Sequence, residues 1–181
     1  MTETAVALLR AVNVGGFALV KMERLRDVFA RLGFEEVRTV LQSGNVVFRA
    51  PRIPTLQLEN RLQGAVAEQL HLRTDFFVRT RREWTAVLAN NPFHEEAAKD
   101  PSRLTVTFLK AAPPPVAWRA LRSAVDGPER VAVHGREAYI VYPNGQGKSR
   151  LTAARIERAL GTTATTRNWN TASRLAAVLA E

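Results

Sequence analysis

Apolar residues in this chain fall into short blocks separated by glycine, proline and small polar residues, and the period inside each block sets the element it predicts. Residues 5–9, Ala-Val-Ala-Leu-Leu, are apolar without alternation and predict a buried strand that stops before Asn13, Gly15 and Gly16. From Lys21 onward Met22, Leu25, Phe29 and Leu32 recur at helical spacing, and Gly33 followed by Phe34 supplies a glycine stop with its hydrophobic contact. Residues 37–41 and 45–48 read as two strands joined through Gln42, Ser43 and Gly44 in a tight hairpin, and Pro51 and Pro54 end the sheet run. A helix carrying Leu58, Leu62, Ala65 and Leu70 follows, then a strand at 74–78 rich in aromatic and branched residues. This order is the βαββαβ unit of the ferredoxin-like plait.

Thr80, Arg81, Arg82 and Glu83 fit a capping box that opens a helix with Trp84, Val87 and Leu88 on its apolar stripe. The polar, proline-bounded stretch 90–102 reads as a connection. The second half repeats the element order of the first. Residues 104–109 form a strand, and Pro113, Pro114 and Pro115 start a helix with Trp118, Leu121 and Val125 on one face. Strands at 131–133 and 138–142 flank His134, Gly135 and Arg136. Ser149 is expected to cap a helix with Ala153, Ile156 and Leu160, stopped by Gly161. A polar strand at 162–166 and a helix with Leu175, Val178 and Leu179 complete the pattern. The expected fold class is α+β: two tandem ferredoxin-like plaits with antiparallel sheets, residues 1–80 and 103–181, with a helix and linker at 81–102 and a C-terminal helix. The halves share element order, not detectable sequence.

Composition narrows the chemistry. With 46% hydrophobic and 24% charged residues in 181, the chain can build an ordinary packed core. It has no cysteine, which removes disulfides, thiolate metal sites and cysteine nucleophiles, and its three histidines stand apart at no ligand spacing, so no metal is expected. No cofactor fingerprint is present either. Without a signal segment or an apolar run of the ~20 residues a bilayer requires, the expectation is a cytoplasmic protein with no membrane anchor.

The 26 Lys+Arg against 17 Asp+Glu give a net charge of +9, which raises nucleic acid as a partner. Plaits that bind RNA stack bases on exposed aromatics of strands one and three, and here strand one is aliphatic while strand three offers Phe48. Basic residues are dispersed, with Arg79, Arg81 and Arg82 the one local cluster. A third reading comes from the first sheet, whose strands are apolar on both faces. The helix from Arg81, the second domain or a second copy of the chain must cover the face its own helices leave, the last giving a homodimer.

Element order places two loop clusters. In the first plait, Arg10, Asn13, Gly15, Gly16 and Lys21 come near Gln42, Ser43 and Asn45, a glycine-rich turn with two cations that suits a phosphate or carboxylate; turn chemistry explains the same glycines. In the second, the loop from Asn144 to Ser149 should meet Arg167, Asn168, Trp169 and Asn170. That would bring Lys148 and Ser149 at a helix start, an arginine, amides and an indole to one edge. The spacing fails for a P-loop, because Tyr142 stands where its first glycine belongs, and for a dinucleotide fingerprint, because Arg150 holds its third.

Many separated motifs recur in one order. They are Leu8-Leu9-Arg10-Ala11-Val12-Asn13-Val14-Gly15-Gly16, Lys21-Met22, and Gln42-Ser43-Gly44-Asn45-Val46-Val47-Phe48, then Asn91-Pro92-Phe93 and Val106-Thr107-Phe108-Leu109. Tyr142-Pro143, Gly147-Lys148-Ser149 and Thr166-Arg167-Asn168-Trp169-Asn170-Thr171 complete the set. Over nearly the whole chain this resembles the bacterial family known as domain of unknown function 1697, whose members usually have Gly where Ala11 stands. The resemblance implies tandem ferredoxin-like domains and no activity. The leading functional expectation is binding of an anionic, phosphorylated or nucleotide-like small molecule.

Overall fold

The computed structural model describes residues 1–10, 20–41 and 44–181. The first plait comprises β1 (Thr2–Leu9), α1 (Met22–Arg31), β2 (Glu35–Thr39), β3 (Asn45–Pro51), α2 (Thr55–Leu70) and β4 (Phe76–Thr80), followed by α3 (Arg81–Ala89). The second comprises β5 (Leu104–Leu109), α5 (Pro115–Ala124), β6 (Arg130–His134), β7 (Glu137–Val141), α6 (Ala153–Leu160) and β8 (Ala164–Asn168), followed by α7 (Trp169–Ala180). Each sheet is antiparallel, in the orders β2-β3-β1-β4 and β6-β7-β5-β8, so the two halves are ferredoxin-like plaits as their patterns predict. The stretch expected as a plain connection contains a short helix, α4 (His94–Lys99), and a 3₁₀ turn, Pro101–Arg103. An ion pair from Glu96 to Arg130, remote in sequence, anchors α4. Among the described residues no helix is long and apolar enough to cross a membrane.

Local chemistry explains the boundaries. Gly33, at φ +77°, ends α1, and Phe34 N–H returns to the Phe29 carbonyl at 3.2 Å while the two rings meet edge to face at 6.0 Å. The capping box at Thr80 forms as predicted: Glu83 accepts from Thr80 N–H at 2.8 Å and Thr80 Oγ1 from Glu83 N–H at 3.2 Å. Edge strands are sealed by helix side chains. On β4, Val78 N–H donates to Glu59 Oε1 at 2.9 Å and Phe76 N–H to Gln63 Oε1 at 3.4 Å, both from α2. On β8, Ala164 N–H donates to Glu157 Oε1 of α6 at 2.8 Å. At the β4 and β8 edges these bonds occupy donors that would otherwise invite another strand.

The chain divides into two compact units, Met1–Ala86 with Leu175–Glu181, and Val87–Arg174. By this division α3 is shared between the units and the end of α7 goes with the first. In the first unit Ala5, Ala7, Leu9, Phe48, Phe76 and Val78 face α1 and α2, with Phe29 and Phe48 at 5.1 Å. The opposite face, Val6, Leu8, Val47 and Phe77, is also buried within the single chain. There Arg38 of β2 pairs with Glu181 and donates to the Val178 carbonyl at 3.4 Å, placing the end of α7 against this face. The apolar face is thus covered within the single chain. In the second unit Val106, Phe108, Tyr139 and Val141 form the corresponding buried face, and Tyr139 Oη donates to the Val87 carbonyl of α3 at 2.7 Å.

Register exposes a shared device. Arg79 pairs with Val6 and Arg167 with Val106, at the same place on the fourth strand of each plait. Both arginines are buried, and each donates from Nη1 to the carbonyl of the preceding residue at 2.9 Å. Arg79 is therefore not part of the surface cluster in which the sequence grouped it.

Tyr139 and Tyr142 are the chain's two tyrosines, and burial, helped by Glu137 and Glu129 respectively, holds both phenols well above their ordinary value of 10. Above pH about 10 the unfolded chain gives up phenolic protons that the native chain keeps, so stability should fall as pH rises. Alkaline titration should show phenolate absorbance only as the protein unfolds. A rise near pH 10 in folded protein would contradict this packing.

Candidate functional site

At the loop end of the first plait, Leu9 N–H donates to the Gly44 carbonyl at 2.9 Å and Arg10 N–H to the Asp75 carbonyl at 3.0 Å. Thr74 Oγ1 adds a bond to the Arg10 carbonyl at 2.8 Å. The Arg10 backbone is thus tied to the start of β4 while its neighbour Leu9 meets the β2–β3 hairpin, and Lys21 is exposed just before α1. Asn13, Gly15, Gly16, Gln42 and Ser43 lie outside the described residues. Asn45 is fully buried: its Nδ2 donates to the Val40 carbonyl at 2.9 Å and its own carbonyl accepts from Val40 N–H at 2.9 Å. Both backbone polar groups of Val40 end on Asn45, which closes the hairpin.

In the second plait Val141 pairs with Leu104 and Asn168 with Thr105, so the loop after β7 and the exit of β8 lie at one end of the sheet, flanking the start of β5. The convergence is as expected, but the side chains differ from the expectation. Helix α6 begins at Ala153 with Thr152 as its cap, Thr152 Oγ1 accepting from Arg155 N–H at 3.3 Å. Ser149 instead makes a local turn, accepting from Leu151 N–H at 2.9 Å and donating to Glu129. Lys148 ends a single 3₁₀ turn and is exposed. Lys148 and Ser149 therefore do not open a helix, and the dipole argument for an anion there falls.

Asn168 caps α7, its Oδ1 accepting from Thr171 N–H at 2.8 Å, while Asn170 is exposed. Trp169 is 8% exposed, too buried to serve as a stacking platform. Arg167 donates to Thr165 Oγ1 at 2.8 Å, and burial lowers its pKa to about 10, which leaves it charged at neutral pH. Arg103, which the sequence reading passed over, lies against this loop. Its Nη1 is 2.7 Å from where a Cβ on Gly145 would stand, and with φ +88° the position requires glycine.

Among the described residues a further candidate surface is at the other end of the first sheet. A groove of about 410 Å³ is lined by Thr2, Glu3, Thr4, Arg52, Arg81, Arg82 and Thr85. A second groove, about 570 Å³, has Ile53, Pro54, Thr55, Thr80 and Ala86 on its walls, and Glu3 and Arg82 line both. Among the described residues the side chains of Arg52, Arg82 and Glu3 make no hydrogen bond or ion pair. Arg81 reaches the Ala180 carbonyl at a long 3.5 Å. Pairing assembles the cluster: Thr2 opposes Pro51, which places Arg52 at the start of β1, and Ala5 opposes Thr80, which brings α3 to the same end. The sequence held this signal in Arg81 and Arg82 directly after the cap at Thr80.

The architecture defines a tandem ferredoxin-like protein. The chain belongs to the family described as protein of unknown function (DUF1697), whose sequence model matches residues 1–139. It is similar to the solved structure of the conserved bacterial protein SP0830 from Streptococcus pneumoniae, at 20% identity and a TM-score of 0.77 over 99% of each chain, which shows the fold alone. A putative chlorite dismutase, TA0507, aligns over 96% of this chain and 99% of its own at 13% identity and a TM-score of 0.27, and carries no argument. No curated protein matches the chain.

Asn45→Ala should lower the unfolding free energy by about 1–3 kcal/mol, because it leaves the Val40 carbonyl without its buried donor. Urea denaturation checks this; a loss below about 0.5 kcal/mol would detach Asn45 from the hairpin.

Proposed function

We propose that the protein binds a phosphorylated small molecule in the cytoplasm, and that the groove of Arg52, Arg81 and Arg82 receives the phosphate. The observation that carries the reading is three arginines against one glutamate, Glu3, lining one groove, two of the arginines without a side-chain partner among the described residues. Like charges held together raise each other's energy, and a phosphate relieves that repulsion while taking paired N–H bonds from a planar guanidinium fork. The hydroxyls of Thr4 and Thr85 add hydrogen-bonding capacity, and about 410 Å³ is within the range of small-molecule sites. The groove is open, so exchange with solvent is direct.

Nucleic acid is less well supported. The sheet face on which plaits stack bases is buried in both halves, at Val6, Leu8 and Val47 and at Val106 and Tyr139. The expected loop site is also weaker, since Ser149, Asn168 and Trp169 have structural duties.

Inorganic phosphate at low ionic strength should raise the thermal midpoint of the wild type saturably, beyond chloride at matched ionic strength. The double variant Arg81→Ala/Arg82→Ala should lose most of that response and Lys148→Ala should keep it. No stabilisation of the wild type, or an unchanged double variant, overturns the reading. Loss confined to Lys148→Ala would move the site to the second plait.

A further inference from the structure

Resting on that phosphate reading, we infer that the ligand is a nucleoside monophosphate or a close analogue: one phosphate at the arginines, a hydroxyl-bearing ring beside Glu3, and a flat apolar base on Ile53, Pro54 and Ala86. The inference comes from the junction of the two grooves. Arg82 and Glu3 line both, and neither side chain is paired, with the other or with any other described residue. A bound molecule that passes from one groove to the other must therefore run by a guanidinium seeking an acceptor and then a carboxylate seeking donors. An unpaired carboxylate repels a second anion and accepts from hydroxyl or amino groups.

The second groove agrees. Arg82 is its one cation, and it carries the carboxylates of Glu3 and Glu83, the latter accepting from Thr80 N–H at 2.8 Å. It has no excess positive charge for another phosphate, which disfavours di- and triphosphates and phosphate polymers. Its remaining wall is apolar and firmly held: Ile53 packs on the core of the first plait and Pro54 fixes the entry to α2. Such a shelf, beside hydroxyls at Thr55 and Thr80, accepts a planar heterocycle with polar edges better than a second charged group. Phosphate, sugar and base then correspond to arginines, carboxylate and shelf in that order.

Calorimetric titration of the full chain with inorganic phosphate, ribose 5-phosphate and adenosine monophosphate at fixed ionic strength separates the steps. Each added part should tighten binding, the base by about tenfold. Glu3→Ala should bring ribose 5-phosphate to the level of phosphate. Ala86→Gln, an exposed helix position, should bring adenosine monophosphate to the level of ribose 5-phosphate. Glu3→Ala also takes a carboxylate from the phosphate groove and should itself tighten phosphate, so each comparison is made within one variant. Phosphate binding with no gain from sugar or base overturns this inference and leaves the phosphate reading standing. No binding of phosphate at all overturns both. A gain that ignores both variants, or tighter binding of adenosine diphosphate or of a single-stranded oligonucleotide, overturns the assignment of the second groove.

Discussion

The structure depends on one constraint: both sheets are apolar on both faces, while a plait supplies helices to one. In the first unit α1 and α2 cover Ala5, Ala7 and Phe48, yet Val6, Leu8, Val47 and Phe77 are equally dry. Leaving them wet would forfeit roughly 1.5–3 kcal/mol for each large side chain, a substantial part of the net stability of a domain this size. At the first sheet the end of α7 meets that demand, Arg38 holding Glu181 and the Val178 carbonyl, and at the second Val87 of α3 takes the Tyr139 hydroxyl. With both faces closed and the β4 and β8 edges sealed by Glu59, Gln63 and Glu157, the sheets offer no flat platform to a ligand. Unsatisfied chemistry is displaced to the strand ends, where Arg52, Arg81 and Arg82 collect.

Element type and order were legible because they follow from local periodicity and turn chemistry, as at Gly33 and the Thr80 box. Side-chain duties were legible only where the partner is near in sequence. Ser149 and Thr152 are both credible caps by type; the choice is made by Glu129, which draws the Ser149 hydroxyl away. Asn45 reads equally as hairpin or ligand residue until its burial is known. Arg79 and Arg167 were expected on the surface because arginine usually is. The cationic groove was hidden for a related reason: it is composed of residues from β1, the exit of β3 and the start of α3, adjacent through strand pairing alone.

Comparison of the two plaits by register sharpens the functional argument. The pairs Val6–Arg79 and Val106–Arg167 align the halves, and with Thr4–Arg49 against Leu104–Val141 they place Asn144 where the first plait has Arg52. Trp169 and Asn170 then stand where it has Arg81 and Arg82. The buried arginine and the cap that follows it are kept in both, as architecture would demand. The guanidinium groups at the strand ends appear in the first plait and are replaced by an indole and amides in the second. Charge at this end is thus not a requirement of the fold.

The division of α3 and α7 between the units bears on how the chain is made. The first unit includes Leu175–Glu181, which a ribosome delivers only after every element of the second unit. Its sheet can pair and bury one face early, but the face of Val6, Leu8 and Phe77 lacks the end of α7 until residues 175–181 are made. Completion of the first unit therefore waits on α7, so the two units cannot finish folding strictly in chain order.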